Sequence, residues 1–390
     1  MRRGSTGRYE VTVTGGERVR AFVPVPLPPS PPLVLDGPLR STLEEAALSL
    51  GRLDGMSTLL PDHTLFTDLY TRKEAVLSSR IEGARSSLSD LLLFEIGETT
   101  GVHHDDVIET SNYVAALEHG RRRLEEGFPL SSRLIREIHG VLLSRGRASG
   151  SDPGRYRRSQ NWIGGTRPGN AAFVPPPHSA VRGCMGHLER FLHAGADGLP
   201  TLARIALAHV QFETIHPFPR GNGRVGRLLV TLMLLRAGVL REPLLYLSLY
   251  LKQHRSTYYG LLNEVRRTGD WEAWLEFFLE GMRVAAEGAV STSRRLLDLF
   301  ADHRDTVAAS GRRAGSALRV HGVLRARPIL SITVAAERAG LSFSAASSAM
   351  HLLVDRGIAR ETTGKRRGRL FVYDDCLAVL NDGTEPQSSS

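Results

Sequence analysis

The twelve residues HPFPRGNGRVGR, at 216–227, constrain this chain more than any other stretch. A helical pattern, PTLARIALAHVQFETIH, runs into them, and a second, GRLLVTLMLLRAGVL, leaves them. Pro217 cannot continue the first helix. A helix must therefore stop, the backbone must turn through a glycine loop, and an apolar helix must restart at once. Glycines in such a loop let backbone N–H groups converge on one concavity, and the N-terminus of the following helix adds partial positive charge. Gly221, Asn222 and Gly223, followed by Val225 and Gly226, are the candidate anion-binding segment.

Two cations sharpen the expectation. Arg224 and Arg227 are three residues apart, so both fall on one face of the restarting helix. Cations are disfavoured at a helix N-terminus unless an anion sits between them and the dipole. Two arginines there imply a polyanion, most simply a di- or triphosphate. The loop is neither GxxxxGK[ST] nor GxGxxG, so the usual P-loop and dinucleotide fingerprints are excluded. His216 closes the first helix, and an imidazole there can take a hydroxyl proton beside a bound phosphate. Phe218 reads as a core plug that anchors the loop, and Glu213, one turn earlier, as structural.

The rest of the chain is consistent with a sizeable folded core: 390 residues, 41% of them apolar. Neither an apolar run long enough to span a membrane nor a signal-like start is expected. Only Cys184 and Cys376 occur, which argues against a disulfide scaffold and fits a reducing cytoplasm. The net charge of +9 is carried almost wholly by arginine, the lysines being Lys73, Lys252 and Lys365. Such a balance suits phosphate or nucleic-acid partners, though arginine-for-lysine drift gives the same number.

The pattern predicts a mainly α chain. Residues 1–40 form an arm and strap: a hairpin over 8–25 around Gly15-Gly16, then an extended proline-rich segment over 24–38. A helical region over 41–130 starts at STLEEAALSLGRL, with Ser41 and Glu44 as a capping box. The core covers 131–300 and is interrupted at 153–177 by a β-hairpin flap, PGRYRRSQNWIGGTRPGNAAFVPPP. A linker over 301–317, ending in ASGRRAGSA (309–317), leads to 318–382. There, helix, turn, helix and two strands around GKRRGR (364–369) follow the order of a winged helix-turn-helix. Residues 383–390 read as a disordered tail.

HPFPRGNGRVGR resembles the signature of the Fic family, H-x-F-x-[D/E]-G-N-G-R-x-x-R, at every fixed position but one. RKEAVLSSRIEG, QFETIHPF and GDWEAWLEFFL extend the resemblance over roughly residues 8–380, to members with an N-terminal inhibitory helix and a C-terminal winged helix. It implies a protein adenylyltransferase that moves AMP from ATP to a Ser, Thr or Tyr hydroxyl of a protein, the chain itself included. His216 would be the base. Gly221–Gly223 would cradle the α- and β-phosphates, Arg224 and Arg227 would hold the β- and γ-phosphates, and Tyr258 and Tyr259 would lie near the adenine. LSSRIEG (77–83) matches the family's inhibitory motif, so Ser78, Glu82 and Gly83 would block the γ-phosphate site through a Glu82–Arg227 pair. Ile163, Gly164, Gly165 and Thr166 would be the flap edge that registers the target by β-augmentation.

The departing position is Arg220. The family places there an acid that ligates Mg²⁺ on the phosphates. An arginine has no lone pair to offer, so the resemblance implies Mg²⁺ while this residue opposes it. Altered or impaired catalysis, transfer of another phosphate-containing group, and a non-catalytic DNA- or protein-binding regulator are the alternatives. The winged helix implies DNA as a partner. Its second helix, SFSAASSAMHLLVD, has no arginine or asparagine to read bases, so protein docking or a homodimer is the competing role.

Overall fold

A computed structural model describes residues 1–59, 63–98, 103–195, 198–366 and 368–382. The predicted tail over 383–390 and Arg367 of the basic turn lie outside the described residues. In chain order the elements are β1 (Gly7–Thr14), β2 (Glu17–Pro24), α1 (Gly37–Leu59), α2 (His63–Ile81), α3 (Leu88–Glu95), α4 (His104–Glu125), α5 (Ser132–Leu142), α6 (Val181–His193), α7 (Thr201–Ile215), α8 (Asn222–Arg236), α9 (Ser248–Gln253), α10 (Arg255–Thr268), α11 (Trp271–Ala308), α12 (Ala314–Ala326), β3 (Ile329–Ser331), α13 (Ile332–Ala339), α14 (Phe343–Asp355), β4 (Arg360–Glu361), β5 (Leu370–Val372) and α15 (Asp374–Asn381). The chain is mainly helical, as expected. Among the described residues no helix is long and apolar enough to cross a membrane.

The α7–α8 hairpin stands at the centre because both helices are apolar nearly all round, a pattern that suits only an element covered on every side. Leu202 and Ala203, then every residue from Ile205 to Ile215, are buried in α7. In α8, Val225 through Leu234 are buried too. Helices α4, α5, α6, α10 and α11 pack around this pair, and α2 reaches α8 from the N-terminal side.

The N-terminal hairpin forms as predicted, antiparallel from Gly7↔Pro24 to Thr14↔Glu17. The strap that follows is tied down by Arg3, whose guanidinium donates to the Pro31 and Pro32 carbonyls at 2.6 and 2.7 Å and pairs with Glu272 at 2.6 Å. The Ser41–Glu44 capping box does not form. The helix begins four residues earlier, closed by Arg40 N–H donating to Asp36 O at 3.3 Å, because Pro38 is well suited to a first turn.

Two further expectations are corrected. The flap is a loop rather than a hairpin: its ladder consists of one bridge, Ile163↔Phe173. Gly164 and Gly165 both adopt left-handed φ, 69° and 73°, which takes the backbone out of the extended region at once. The Asn170 side chain then accepts from Thr166 and Arg167 N–H at 3.0 Å, an Asx-type closure that competes with pairing. The linker over 301–317 is largely helical. Helix α11 runs to Ala308, a short turn at Gly311–Arg313 interrupts, and α12 starts at Ala314, since this stretch has alanines and no proline. Beyond it the two expected helices form as α13 and α14 and the two expected strands as β4 and β5, while α12, the strand β3 that pairs with β5, and the closing helix α15 lie outside the expected pattern; the sheet is antiparallel, in the order β3-β5-β4. This unit packs on α2, α3 and α11.

Candidate active site

The loop between α7 and α8 is built by its own residues. The residue before a proline avoids the right-handed helical region, and His216 takes the left-handed cap, φ 47° and ψ 61°, its N–H donating to Phe212 O at 2.9 Å. A left-handed non-glycine residue is costly and persists only where surroundings over-determine it. Here Arg157 does so. Its Nε donates to the His216 carbonyl at 3.0 Å, its backbone N–H to Pro217 O at 3.0 Å, and its remaining nitrogens to the Ser159 and Pro176 carbonyls. Phe218 is fully buried, as expected of a plug, and stacks on His139 at 3.7 Å between centroids. His139 accepts from Gly154 N–H at 2.9 Å through Nδ1, so its Nε2 carries the proton and donates to Arg220 O at 3.1 Å. The Arg220 backbone is thus pinned while the residue itself is exposed.

Asn222 plays a different part from the one predicted. Its side-chain oxygen accepts from Phe218 N–H at 2.9 Å and its amide donates to Phe218 O at 2.8 Å. The side chain staples the loop, leaving backbone N–H groups to face a ligand. Gly221, at φ 76°, makes the left-handed turn that starts α8. Val225 and Gly226 are corrected more strongly. A helix turns by about 100° per residue, and these two face the core: Val225 is fully buried and Gly226 O accepts from His209 Nδ1 at 3.1 Å.

A cavity of about 480 Å³ lies over this loop, lined by Glu82, Glu109, Arg147, His216, Arg220 and Arg224 together with the loop glycines. Arg224 is 5% exposed, and among the described residues its Nε has no hydrogen-bond partner. A buried guanidinium with a spare N–H group is a donor awaiting an acceptor. Glu109 stands 3.2 Å from it. Arg227 is held on one side: it donates to Ser78 Oγ at 2.8 Å, Ser78 O at 3.0 Å and Glu82 Oε1 at 2.9 Å through Nε and Nη2. Ser78 and Glu82 therefore share a face, as their spacing predicted, although Glu82 lies just past the end of α2. Burial works to raise the Glu82 pKa, but Arg227 and Arg224 together hold it below the usual carboxylate range. A Cβ built on Gly223 would come within 2.2 Å of Glu82 Oε1, so glycine is what lets this carboxylate lie against the N-terminus of α8.

The aromatic and flap positions divide. Tyr258 is a core residue, 1% exposed, its hydroxyl bonded to His209 Nε2 at 2.9 Å, and it does not line the cavity. Tyr259, its neighbour on α10, points out and is 39% exposed. Gly83 lines the cavity, whereas Ile163, Gly164, Gly165 and Thr166 do not. Glu109, Arg157, His139 and Arg147 are the residues that sequence reading missed. They come from α4, α5 and neighbouring loops, and no local motif marks them.

Buried titratable groups surround the loop. Desolvation lowers His216 and His139 to about 4 and His209 to about 3. His321, in the C-terminal unit, is lowered to about 4 by the same cause. Burial raises Glu74 and Glu213 to about 7. A histidine depressed in the folded state supplies stability that is present above about pH 6.5 and lost as pH falls; a glutamate raised in the folded state gains stability over the same fall. Four such histidines oppose two such glutamates, so the balance is a net loss of stability as pH falls below about 6.5. Urea unfolding is expected to show the chain less stable at about pH 5 than at about pH 6.5. A flat profile across that range would contradict these protonation states.

The Fic/DOC family N-terminal region matches residues 40–122 and the Fic/DOC family domain matches 129–234. Similar proteins include the protein adenylyltransferase Fic of Aedes aegypti, 35% identical over 147 residues, which are 37% of this chain and 26% of that protein. Its counterpart in Drosophila melanogaster is 30% identical over 166 residues, 42% of this chain and 30% of that one. The chain thus spans about a quarter to a third of the length of these relatives. Among solved structures, a Fic family protein from Desulfovibrio desulfuricans superposes with a TM-score of 0.54 at 21% identity, over 87% of this chain and 96% of the other. A Fic domain containing signalling protein from Bacteroides thetaiotaomicron gives a TM-score of 0.51 at 21% identity, over 65% and 95%.

Proposed function

Because this chain belongs to the Fic/DOC family, we propose that it is an autoinhibited adenylyltransferase acting on a protein hydroxyl, with ATP as co-substrate. The observation that carries the reading is the pairing of each clamp arginine with a carboxylate over one polyphosphate-sized cavity: Arg227 with Glu82 at 2.9 Å and Arg224 with Glu109 at 3.2 Å. Arginines that hold phosphates are here held by internal anions.

In the active state the hydroxyl oxygen of a Ser, Thr or Tyr attacks the α-phosphorus of ATP. The bond from that phosphorus to the β-phosphate oxygen breaks, pyrophosphate leaves, and the hydroxyl proton passes to His216. His216 is neutral at physiological pH because desolvation lowers it to about 4, so its ring is free to accept. A bound polyphosphate raises it and so strengthens it as a base. In this reading the backbone of Gly221–Gly223, Arg224 and Arg227 hold the phosphates, and Tyr259, 39% exposed and within electrostatic reach of Glu82 and Arg227, would cover the base. Registration of the target backbone along Ile163–Thr166 would require this loop to rearrange, because Gly164 and Gly165 are left-handed, Ile163 already pairs with Phe173 and Asn170 holds the Thr166 N–H.

A resident magnesium ion does not fit these residues. Mg²⁺ takes carboxylate, phosphate and water oxygens. The loop presents Arg220, and the two carboxylates lining the cavity, Glu82 and Glu109, are both engaged by clamp arginines. Arg147, Arg220 and Arg224 place three cations around the space instead, and in this reading they neutralise the phosphates directly.

The test is incubation with α-labelled and γ-labelled ATP in a Glu82→Gly background, with and without a chelator. Only the α-label is expected on protein, and chelation is expected to leave the rate within about twofold, since arginine charge rather than metal carries the stabilisation. Arg220→Asp is expected to lower metal-free transfer by about tenfold, the usual size of one lost charge contact, and to make the remainder magnesium-dependent. Loss of all labelling on chelation before the substitution would overturn the metal-free reading; γ-label on protein would overturn adenylyl transfer.

A further inference from the structure

A second and larger cavity, about 780 Å³, opens at the root of the flap. Both stems of the flap line it, through Arg155–Arg158 on the entering side and His178–Ser179 on the leaving side, with α5 and α6 as the remaining walls. Six arginines face it: Arg133, Arg136, Arg155, Arg157, Arg158 and Arg182. The lining holds one carboxylate, Glu189, and it is engaged, accepting from Ser132 N–H at 3.0 Å.

The arginines differ in what satisfies them. Arg133 pairs with Glu137 at 3.0 Å, Arg136 donates to Gly154 O at 2.9 Å, and Arg157 is turned inward onto the His216 loop. Arg155, Arg158 and Arg182 are exposed, and among the described residues none of them has an ion-pair partner. Some surface arginines are neutralised by neighbours, as Arg121 is by Glu118 and Glu125 and Arg283 by Glu280 and Glu287, and others, such as Arg52 and Arg294, have no ion-pair partner among the described residues; what distinguishes Arg155, Arg158 and Arg182 is that they face one concavity. Three unpaired guanidinium groups around one concavity repel one another, and an anionic ligand relieves that repulsion.

We infer that this arginine groove docks an acidic segment of the protein substrate and thereby sets which hydroxyl reaches His216. The inference rests on the adenylyltransferase reading of the neighbouring site and adds a substrate class to it. Two connections argue for a peptide. Arg157 belongs to the groove wall and also holds the His216 carbonyl at 3.0 Å, so the groove adjoins the base directly. Arg158 is five residues before Ile163, where the flap edge pairs, a span of at most about 17 Å of extended chain. An acidic run about five residues from the hydroxyl would lie in the groove while the hydroxyl lies at the flap. Of the two rings at the groove, Tyr156 is packed 5.4 Å from Phe218 rather than offered as a stacking face, and the exposed His178 imidazole alone falls short of the successive rings on which a single-stranded nucleic acid stacks.

The experiment uses the full chain carrying Glu82→Gly and three fluorescent probes: a peptide with a Glu/Asp run about five residues from a single serine, its Gln/Asn counterpart, and a single-stranded DNA oligonucleotide of matching length. The acidic peptide is expected to bind at least about tenfold more tightly than the neutral one at low salt, with the difference shrinking as salt rises. Combined Arg155→Glu, Arg158→Glu and Arg182→Glu is expected to weaken the acidic peptide by about tenfold or more, while circular dichroism remains that of the parent. Unchanged peptide affinity in that variant overturns the proposal. So does an oligonucleotide that binds more tightly than the acidic peptide and is lost with the same substitutions. Self-labelling from α-labelled ATP, run in parallel, separates the two readings: peptide binding without labelling strikes the enzymatic reading alone, and labelling without groove-dependent peptide binding strikes the groove.

Discussion

A chain carrying Glu82→Gly is expected to transfer label from α-labelled ATP to protein about tenfold to a hundredfold faster than the parent. The figure follows from the competition. In the proposed reading Glu82 and the nucleotide compete for the same guanidinium, so a charge-assisted hydrogen bond of about 1.5–3 kcal/mol has to be broken before phosphate can replace it. The upper end is restrained by exposure: Arg227 is 2% exposed at its side chain, but Glu82 is 39% exposed, so water screens one side of the pair. Ser78 keeps two hydrogen bonds to Arg227 after the change, at 2.8 and 3.0 Å, so the guanidinium stays aimed at the loop. Glu82→Gln retains the volume and loses the charge, and it is expected to fall between the parent and the glycine variant. Equal labelling by parent and glycine variant would remove autoinhibition from the reading and leave Glu82 a residue of structure alone. Glu109 holds Arg224 in a similar way, so part of the restraint is expected to survive in the single variant.

Replacing His216 with alanine in the same background is expected to cut transfer by about 10²–10⁴-fold, the usual contribution of a positioned general base. Binding of ATP, followed by calorimetry, is expected to change little, because in the proposed reading backbone N–H groups, Arg224 and Arg227 would hold the phosphates and the imidazole would not. That split between rate and affinity distinguishes a base from a residue that merely shapes the loop. Alanine is the right probe: it preserves a Cβ at the left-handed position, φ 47°, whereas glycine would also relieve backbone strain and mix the two effects. Joint loss of nucleotide binding and transfer would mean that the loop had collapsed and that His216 acts through structure.

The loop was legible because its chemistry is local. Within HPFPRGNGRVGR the chain carries its own helix stop, its own left-handed turn at Gly221 and two arginines one helical turn apart. The Ser78–Glu82 spacing was readable for the same reason: an i, i+4 relation says which side chains share a face without saying what they face. Local rules also misled. Tyr258 and Tyr259 looked equivalent in sequence, yet one step along a helix separates a residue 1% exposed from one 39% exposed. Asn222 looked like a ligand, and its amide instead closes the loop on Phe218 at 2.8 and 2.9 Å. Ser41 and Glu44 satisfied a capping pattern inside a helix that Pro38 had already started.

What the sequence determined by itself is the glycine turn between two helices, the histidine that precedes it, the shared face of Ser78 and Glu82 and the helical character of the chain, all of which depend on neighbours within one or two turns. What only the tertiary structure decided is how these parts are held and addressed. Arg157 fixes the His216 carbonyl from 59 residues away, His139 fixes that of Arg220 from 81 residues away, and Glu109 meets Arg224 across the cavity. The arginine groove at the flap root is likewise assembled from α5, α6 and both stems of the flap. The physical reason is that backbone conformation is governed by short-range sterics and hydrogen bonding, whereas a guanidinium or carboxylate acts on whatever packing brings within 3–4 Å of it, and packing follows from burying α7 and α8 on all sides at once.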